Sequence, residues 1–233
     1  MRFPACLTPL TFLWSWLILC ALAASSAERA AAPIDLLPSQ ADNGQLPGWT
    51  AYHEEPEASV GEVWTLEDGL LSCRGTPRGY ICTEREFGNF VLELDWRLPA
   101  EKGPLKGGVL IRMTGPDRIW PKSLEAQINS GEAGDFWGLA GYRLSGPTER
   151  FSSTTHPDFG KLVNLKRIVD AEKPRGQWNH YRIVADGATV TLEINGKMVN
   201  RATGCSATPG KICLTSEGNA IQFRNVKLTP LGE

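Results

Sequence analysis

The residues of this chain best suited to chemistry alternate with apolar ones. Leu124, Ala126 and Ile128 alternate with Glu125, Gln127 and Asn129. A period of two sends successive side chains to opposite faces of a strand. Glu125 and Gln127 are thus neighbours on one face, a carboxyl that can move a proton beside an amide that can orient hydroxyl groups. If that face lines a hollow the pair meets a ligand; if it faces bulk water it is an ordinary sheet surface. Trp120 and Trp137 stand in turn-rich segments, Ile119-Trp120-Pro121-Lys122 and Asp135-Phe136-Trp137-Gly138. Loop aromatics are hard to explain by packing, and an indole face suits the apolar C–H face of a pyranose. Trp96, by contrast, has the phase of a core residue.

Glu93 and Asp95 form a second alternating pair. Retaining glycosidases need two carboxyls about 5–5.5 Å apart, close to the separation of same-face neighbours on a strand. Retaining β-glucanases continue such a strand with a third acid, whereas Arg97 stands there, so a structural or solvated face is the better reading. His53, His156 and His180 are too scattered to suggest a metal centre. No Ser/His/Asp or Cys/His spacing stands out, and no Gly-rich loop fits a phosphate. A divalent ion held by Asp, Glu and Asn is left open, and no cofactor is implied.

These residues need strands to carry them. Phe90, Leu92, Leu94 and Trp96 alternate with Val91, Glu93, Asp95 and Arg97, which predicts a strand with one buried face. Asp186-Gly187 and Asn195-Gly196 predict type I′ turns between strands 180–185, 189–194 and 197–200. Further strands are expected at 64–66, 70–73, 80–83, 211–215 and 220–228. In the last, apolar spacing changes phase after Phe223, predicting a bulge near Arg224-Asn225. No helix and no internal repeat is expected. At least ten short strands in one domain predict an all-β, two-sheet antiparallel sandwich.

Composition agrees. The 233 residues are 42% hydrophobic with 24 Gly and 16 Pro, too apolar for a disordered chain and too punctuated for long helices. Net charge is -2 with no basic cluster, which argues against a nucleic-acid surface. Arg2, the apolar run Leu10–Ala24 and the small residues Ser25-Ser26-Ala27 predict a signal peptide over 1–27. A secreted or periplasmic location follows, with no membrane association after cleavage. A lipoprotein route through Cys20 fits less well, because Leu19 occupies a small-residue position. Residues 28–45 read as a linker or arm and 46–231 as the domain. Cys73, Cys82, Cys205 and Cys213 remain after cleavage, and an oxidising compartment would allow two disulfides. Of three pairings, the local Cys73–Cys82 and Cys205–Cys213 suits two hairpins; free thiols are the alternative. Oligomeric state is left open.

Several motifs run in order: "GYICT" (79–83), "NFVLELDWR" (89–97), "GGVLIRM" (107–113), "WPKSLEAQINSGEAGDFW" (120–137), "GQWNHYRIVADG" (176–187), "EINGK" (193–197) and "GKICLTSEGNAIQFRNVKLTPL" (210–231). Together they resemble the bacterial 3-keto-disaccharide hydrolase domain family across nearly all of residues 47–231. The resemblance implies a concanavalin A-like jelly roll, an exported protein and action on sugars already oxidised at carbon 3. Lys106-Gly107-Gly108 departs from the family's Asn-Ser-Gly, and Thr215 from its Gln.

Such chemistry would use the acidity that a carbon-3 ketone gives the hydrogen on carbon 2. A base removes that hydrogen, the enolate expels the group on carbon 1, and water adds afterwards; direct hydrolysis is the other route. The reading implied is Glu125 as base or acid, Glu217 as second carboxylate and Arg112 as enolate stabiliser. Gln127 and Asn129 would meet sugar hydroxyls, with Trp120 or Trp137 stacked on the ring. The rival readings are a non-catalytic carbohydrate-binding sandwich and an ordinary retaining glycosidase working through Glu93 and Asp95.

Overall fold

The computed structural model describes residue 1, residues 31–101 and residues 103–232. The expected leader, past its first residue, lies outside the described residues. Strands are numbered in chain order. One sheet runs β14 (Lys197–Ala202), β13 (Thr189–Ile194), β12 (Asn179–Asp186), β6 (Phe90–Arg97), β16 (Ile221–Pro230), β4 (Leu70–Cys73) and β3 (Trp64–Glu67), with β1 (Ile34–Asp35) also on β16. The other runs β10 (Phe151–His156), β11 (Gly160–Leu165), β9 (Phe136–Leu139), β8 (Lys122–Gln127), β7 (Gly108–Thr114), β15 (Lys211–Ser216), β5 (Gly79–Thr83) and β2 (Trp49–His53). Every pairing is antiparallel. The protein is an almost all-β two-sheet sandwich, as its alternation predicts.

Period-two burial builds the core between the sheets. Phe90, Leu92, Leu94 and Trp96 of β6 point inward to meet Ile111, Leu124, Ala126 and Phe136 from the facing sheet. Tyr80, Cys82, Leu110, Met113, Leu139, Leu162 and Cys213 form a separate apolar cluster bordered by Tyr52, Trp120, Trp137 and Phe159. These residues occupy the outer face of the second sheet, where apolar surface would otherwise meet water.

The local signals have mixed outcomes. Asn195 and Gly196 both have positive φ (53° and 78°), as a type I′ turn requires. Asp186 instead pairs with Thr189, so the loop residues are Gly187 and Ala188, and only Gly187 has positive φ (49°). The bulge in β16 falls between Arg224 and Lys227, with Asn225 at φ 54°. Against expectation, one helical turn covers Val60–Val63; the Glu62 carboxylate accepts from both the N–H and the hydroxyl of Ser59. Four residues are too few to display a helical period. Part of the expected linker belongs to the sandwich: Ile34–Asp35 pairs with Leu228–Lys227, and Trp49 Nε1 donates to the Leu36 carbonyl at 2.7 Å.

The expected disulfides are absent, and all four described cysteines are free and buried. β4 and β5 belong to different sheets, so Cys73 lies opposite Trp64 and Ile221 rather than near Cys82. Cys213 lies opposite Cys82 on neighbouring strands, while Cys205 sits in the segment after β14, its N–H on the Ala188 carbonyl.

Candidate active site

β8 turns Glu125 and Gln127 onto the outer face of the second sheet, beside the apolar residues Leu110 of β7 and Trp137 and Leu139 of β9. A hollow of about 260 Å³ opens there, lined by Glu125 and Gln127 of β8, Trp137 and Leu139 of β9, Leu162 of β11 and the adjoining residues Lys106, Trp120, Asn129, His156 and Glu217. Alternation along β8 explains the split: Leu124 and Ala126 enter the core while Glu125 and Gln127 enter the hollow. Trp137 is the cross-strand partner of Glu125. It is on a strand, not in the loop expected from its turn-rich neighbours, because β9 is only four residues long and shows little alternation. Its indole Nε1 is buried without a hydrogen-bond acceptor.

Glu125 is only 6% exposed, and among the described residues no arginine, lysine or histidine forms an ion pair with it. Burial pushes its carboxyl well above the ordinary carboxylate range, and the charge of Glu217 acts in the same sense. Glu217 is half-buried just past β15. Burial raises it too, while the Thr215 hydroxyl, the Lys106 ammonium and Arg78 act in the opposite sense. The two acids thus face unequal surroundings, the arrangement that separates a proton donor from a proton acceptor.

Space for Glu125 depends on Gly108. A β-carbon there would stand 2.5 Å from Glu125 Oε1 and 2.9 Å from its Cγ. The rim is tied by hydrogen bonds: the Lys106 N–H donates to Asn219 Oδ1 (2.6 Å), Asn219 Nδ2 returns to the Lys106 carbonyl (3.0 Å), and the Gly107 N–H reaches Asn129 Oδ1 (3.4 Å). Asn219 therefore couples the Lys106 segment to the turn that begins at Glu217. On the opposite rim, the tip of the β10–β11 hairpin sets Phe159 4.4 Å from Trp120 and 4.5 Å from His156, ring centre to ring centre.

The expectation for Arg112 fails. Its guanidinium is buried and donates to the carbonyls of Gly88 (2.9 Å), Gly187 (2.8 Å) and Ser206 (3.1 Å) and to Asn89 Oδ1 (3.2 Å), away from the hollow. Arg112 has φ 50° at an irregularity in β7, a local conformation that the motif carrying its assignment does not announce. Glu93 and Asp95 also lie elsewhere, on the outer face of the first sheet. Asp95 accepts from Asn225 (2.8 Å), His180 (2.9 Å) and Arg224 (3.1 Å), and His180 stands 3.7 Å from Glu93. The retaining-glycosidase reading, which needs this pair in a cleft, is withdrawn.

Lys106, His156, Leu139 and Leu162 were missed. Lys106 stood out in the sequence only as a departure from a family pattern. His156 belongs to a hairpin whose strand Ser152–Thr155 is polar and exposed throughout, so it carries no period-two signal. Among the described residues no group of three or more His, Cys, Asp or Glu side chains gathers as a metal-holding set.

The fold and the hollow together define a two-sheet jelly-roll protein with an acid-lined hollow on one outer face. Residues 38–229 match the 3-keto-alpha-glucoside-1,2-lyase-like domain family, and the chain belongs to that family. No curated protein matches it. Among solved structures, a candidate glycosyl hydrolase from Parabacteroides distasonis is 17% identical, with TM-score 0.61 over 86% of this chain and 95% of its own. A laminarinase from Rhodothermus marinus (10% identity, TM-score 0.56, 88% and 98% covered) and the carbohydrate-binding module CBM66 from Bacillus subtilis (14%, 0.54, 78% and 95%) share the architecture. At these identities the likeness establishes the fold alone. Family and fold support a carbohydrate-active protein.

Proposed function

We propose that this protein cleaves the glycosidic bond of 3-keto-glycosides, by elimination across carbons 1 and 2 followed by hydration. The observation that carries the reading is the pair of unequal carboxyls, Glu125 and Glu217, in one hollow. Glu217, the more easily ionised of the two, removes the hydrogen from carbon 2. The C–H electrons become a carbon–carbon double bond as the bond from carbon 1 to the leaving oxygen breaks. Glu125, held protonated by its buried setting, supplies that oxygen with a proton. The Lys106 ammonium, which lines the hollow and acts on Glu217, takes the enolate-stabilising role that Arg112 cannot fill. Gln127 and Asn129 orient hydroxyl groups, and Trp120 and Trp137 wall the ring. Water adding to carbon 1 reverses the proton movements and releases the free 3-keto sugar.

The proposal includes export, with removal of residues 1–27; N-terminal sequencing of the protein secreted by its host tests that part. The test of function is incubation with 3-keto-trehalose or 3-keto-lactose beside the unoxidised sugars. Product from the keto sugars only is expected. Binding without product from either would favour the carbohydrate-binding reading that the CBM66 likeness keeps in view. Product from both would mean ordinary hydrolysis. Addition of a chelator to the same assay reports whether a divalent ion takes part.

A further inference from the structure

The function above makes no use of Cys82 and Cys213, yet the sheet register sets them side by side. Cys213 of β15 is the cross-strand partner of Cys82 of β5. Both side chains belong to the apolar cluster on the outer face of the second sheet. Following the register across the sheet gives the row Thr50, Cys82, Cys213, Leu110, Glu125. The pair thus lies on the same face as Glu125, Cys213 two strands away and Cys82 three, or about 10 and 14 Å at ordinary strand spacing.

Their surroundings differ from those of the other two thiols. The Thr50 hydroxyl is 3.1 Å from Cys82 Sγ, and Lys211 Nζ lies 3.9 Å from the same sulfur. Thr50 is exposed on β2, the edge strand, and Lys211 is partly exposed, so Cys82 lies one edge strand from water. The hydrogen bond from Cys213, helped by Thr50 and Lys211 and opposed by burial, brings the Cys82 thiol down to about 7. Full burial pushes Cys213 up. Cys73 and Cys205 are pushed up to about 11, by burial, and neither has a thiol neighbour across a strand pair. A thiolate beside a second thiol is the arrangement that attacks disulfides.

We propose that Cys82 and Cys213 are a thiol–disulfide modification site, oxidised by a small-molecule or protein disulfide to a bond that staples β5 to β15. The Cys82 thiolate attacks one sulfur of the oxidant and expels the other as a thiolate. The Cys213 sulfur then attacks Cys82 Sγ, and its proton leaves with the second thiol of the oxidant. Two thiols are oxidised and one disulfide is reduced, so electrons and protons balance. The staple holds β15, whose last residue Ser216 precedes Glu217, which reaches the hollow four residues after Cys213.

Oxidised glutathione is the probe. The purified protein is equilibrated with it, free thiols are alkylated, and a non-reducing tryptic digest is read by mass spectrometry. Peptide 79–85 joined to peptide 212–224, lighter by two hydrogens than their sum, is the expected species, with Cys73 and Cys205 alkylated. In Cys213→Ser the reaction should stop with glutathione on Cys82. Four alkylated thiols in the wild type, or a bond that includes Cys73 or Cys205, would overturn the proposal. So would glutathione retained on Cys82 when Cys213 is present.

Discussion

The two sheets carry acidic residues on alternating strands in the same way, and their outer faces treat them oppositely. On the first sheet, Asp95 is surrounded by His180, Arg224 and Asn225, while Arg97 and Arg224 lie over the Trp178 ring at 4.6 and 4.1 Å. Burial works against ionisation of Asp95, but the hydrogen bonds from His180, Asn225 and Arg224 outweigh it and leave its carboxyl below the ordinary value. On the second sheet, Glu125 has burial without an ion pair and is driven the other way. Glu-x-Asp and Glu-x-Gln steps look alike in sequence. What separates a charged surface from a hollow is the cover: the β10–β11 hairpin, Trp120 and the Lys106 rim exist only on the second face.

That contrast can be broken from either side. Glu125→Gln removes the proposed proton donor from the covered face and should lower turnover on a 3-keto-disaccharide by about 10²–10⁴-fold, measured as kcat. Because the folded state raises Glu125, the stability linked to its proton is full below the ordinary carboxylate pKa and is lost as pH rises through the raised value. Glu125→Gln should therefore gain Tm relative to wild type at alkaline pH and not at pH below the ordinary value, as thermal melts across pH would show. Gly108→Ala pushes a methyl group into the Glu125 carboxyl and should cost roughly 10²-fold in kcat with little loss of Tm, since a displacement of about 1 Å is enough for that.

Arg112 tests the same division by stability. Replacing it with Ala strips the Gly88 and Gly187 carbonyls of this donor and leaves the Ser206 carbonyl with the Tyr142 hydroxyl alone, and should cost roughly 3–5 kcal/mol in denaturant unfolding. The fraction that remains folded should keep kcat within about twofold, the least change that mutant kinetics read as a transition-state effect. The smallest effect is expected on the first sheet: Asp95→Asn should cost about 1 kcal/mol or less and leave turnover unchanged. Its stability term has the opposite sign to that of Glu125, present above the ordinary carboxylate pKa and lost as pH falls.

What was legible in the sequence was local. The alternation of residues 90–97, the Asn195-Gly196 turn, the bulge near Asn225 and the separation of Glu125 and Gln127 from the core are fixed by neighbours a few residues apart. What was not legible depended on partners distant in the chain or on broken periodicity. Arg112 was misplaced because its role came from a motif alone, and the positive φ inside β7 leaves no mark in that motif. The cysteines were mispaired because the chain changes sheets between β4 and β5, and sequence distance says nothing of that crossing. Trp137 looked like a loop residue because a four-residue strand gives too little pattern, and His156 lay hidden in a hairpin without an apolar stripe.

Glu217 and Glu125 are proposed to divide two proton transfers within one hollow. A 3-keto-disaccharide deuterated at carbon 2 of the oxidised ring tests it most directly, with deuterium loss and bond cleavage followed together by NMR. Wild type should lose the label as it cleaves, Glu125→Gln should still exchange the label while cleaving slowly, and Glu217→Gln should do neither. Exchange or cleavage by Glu217→Gln at the wild-type rate would overturn this division of roles.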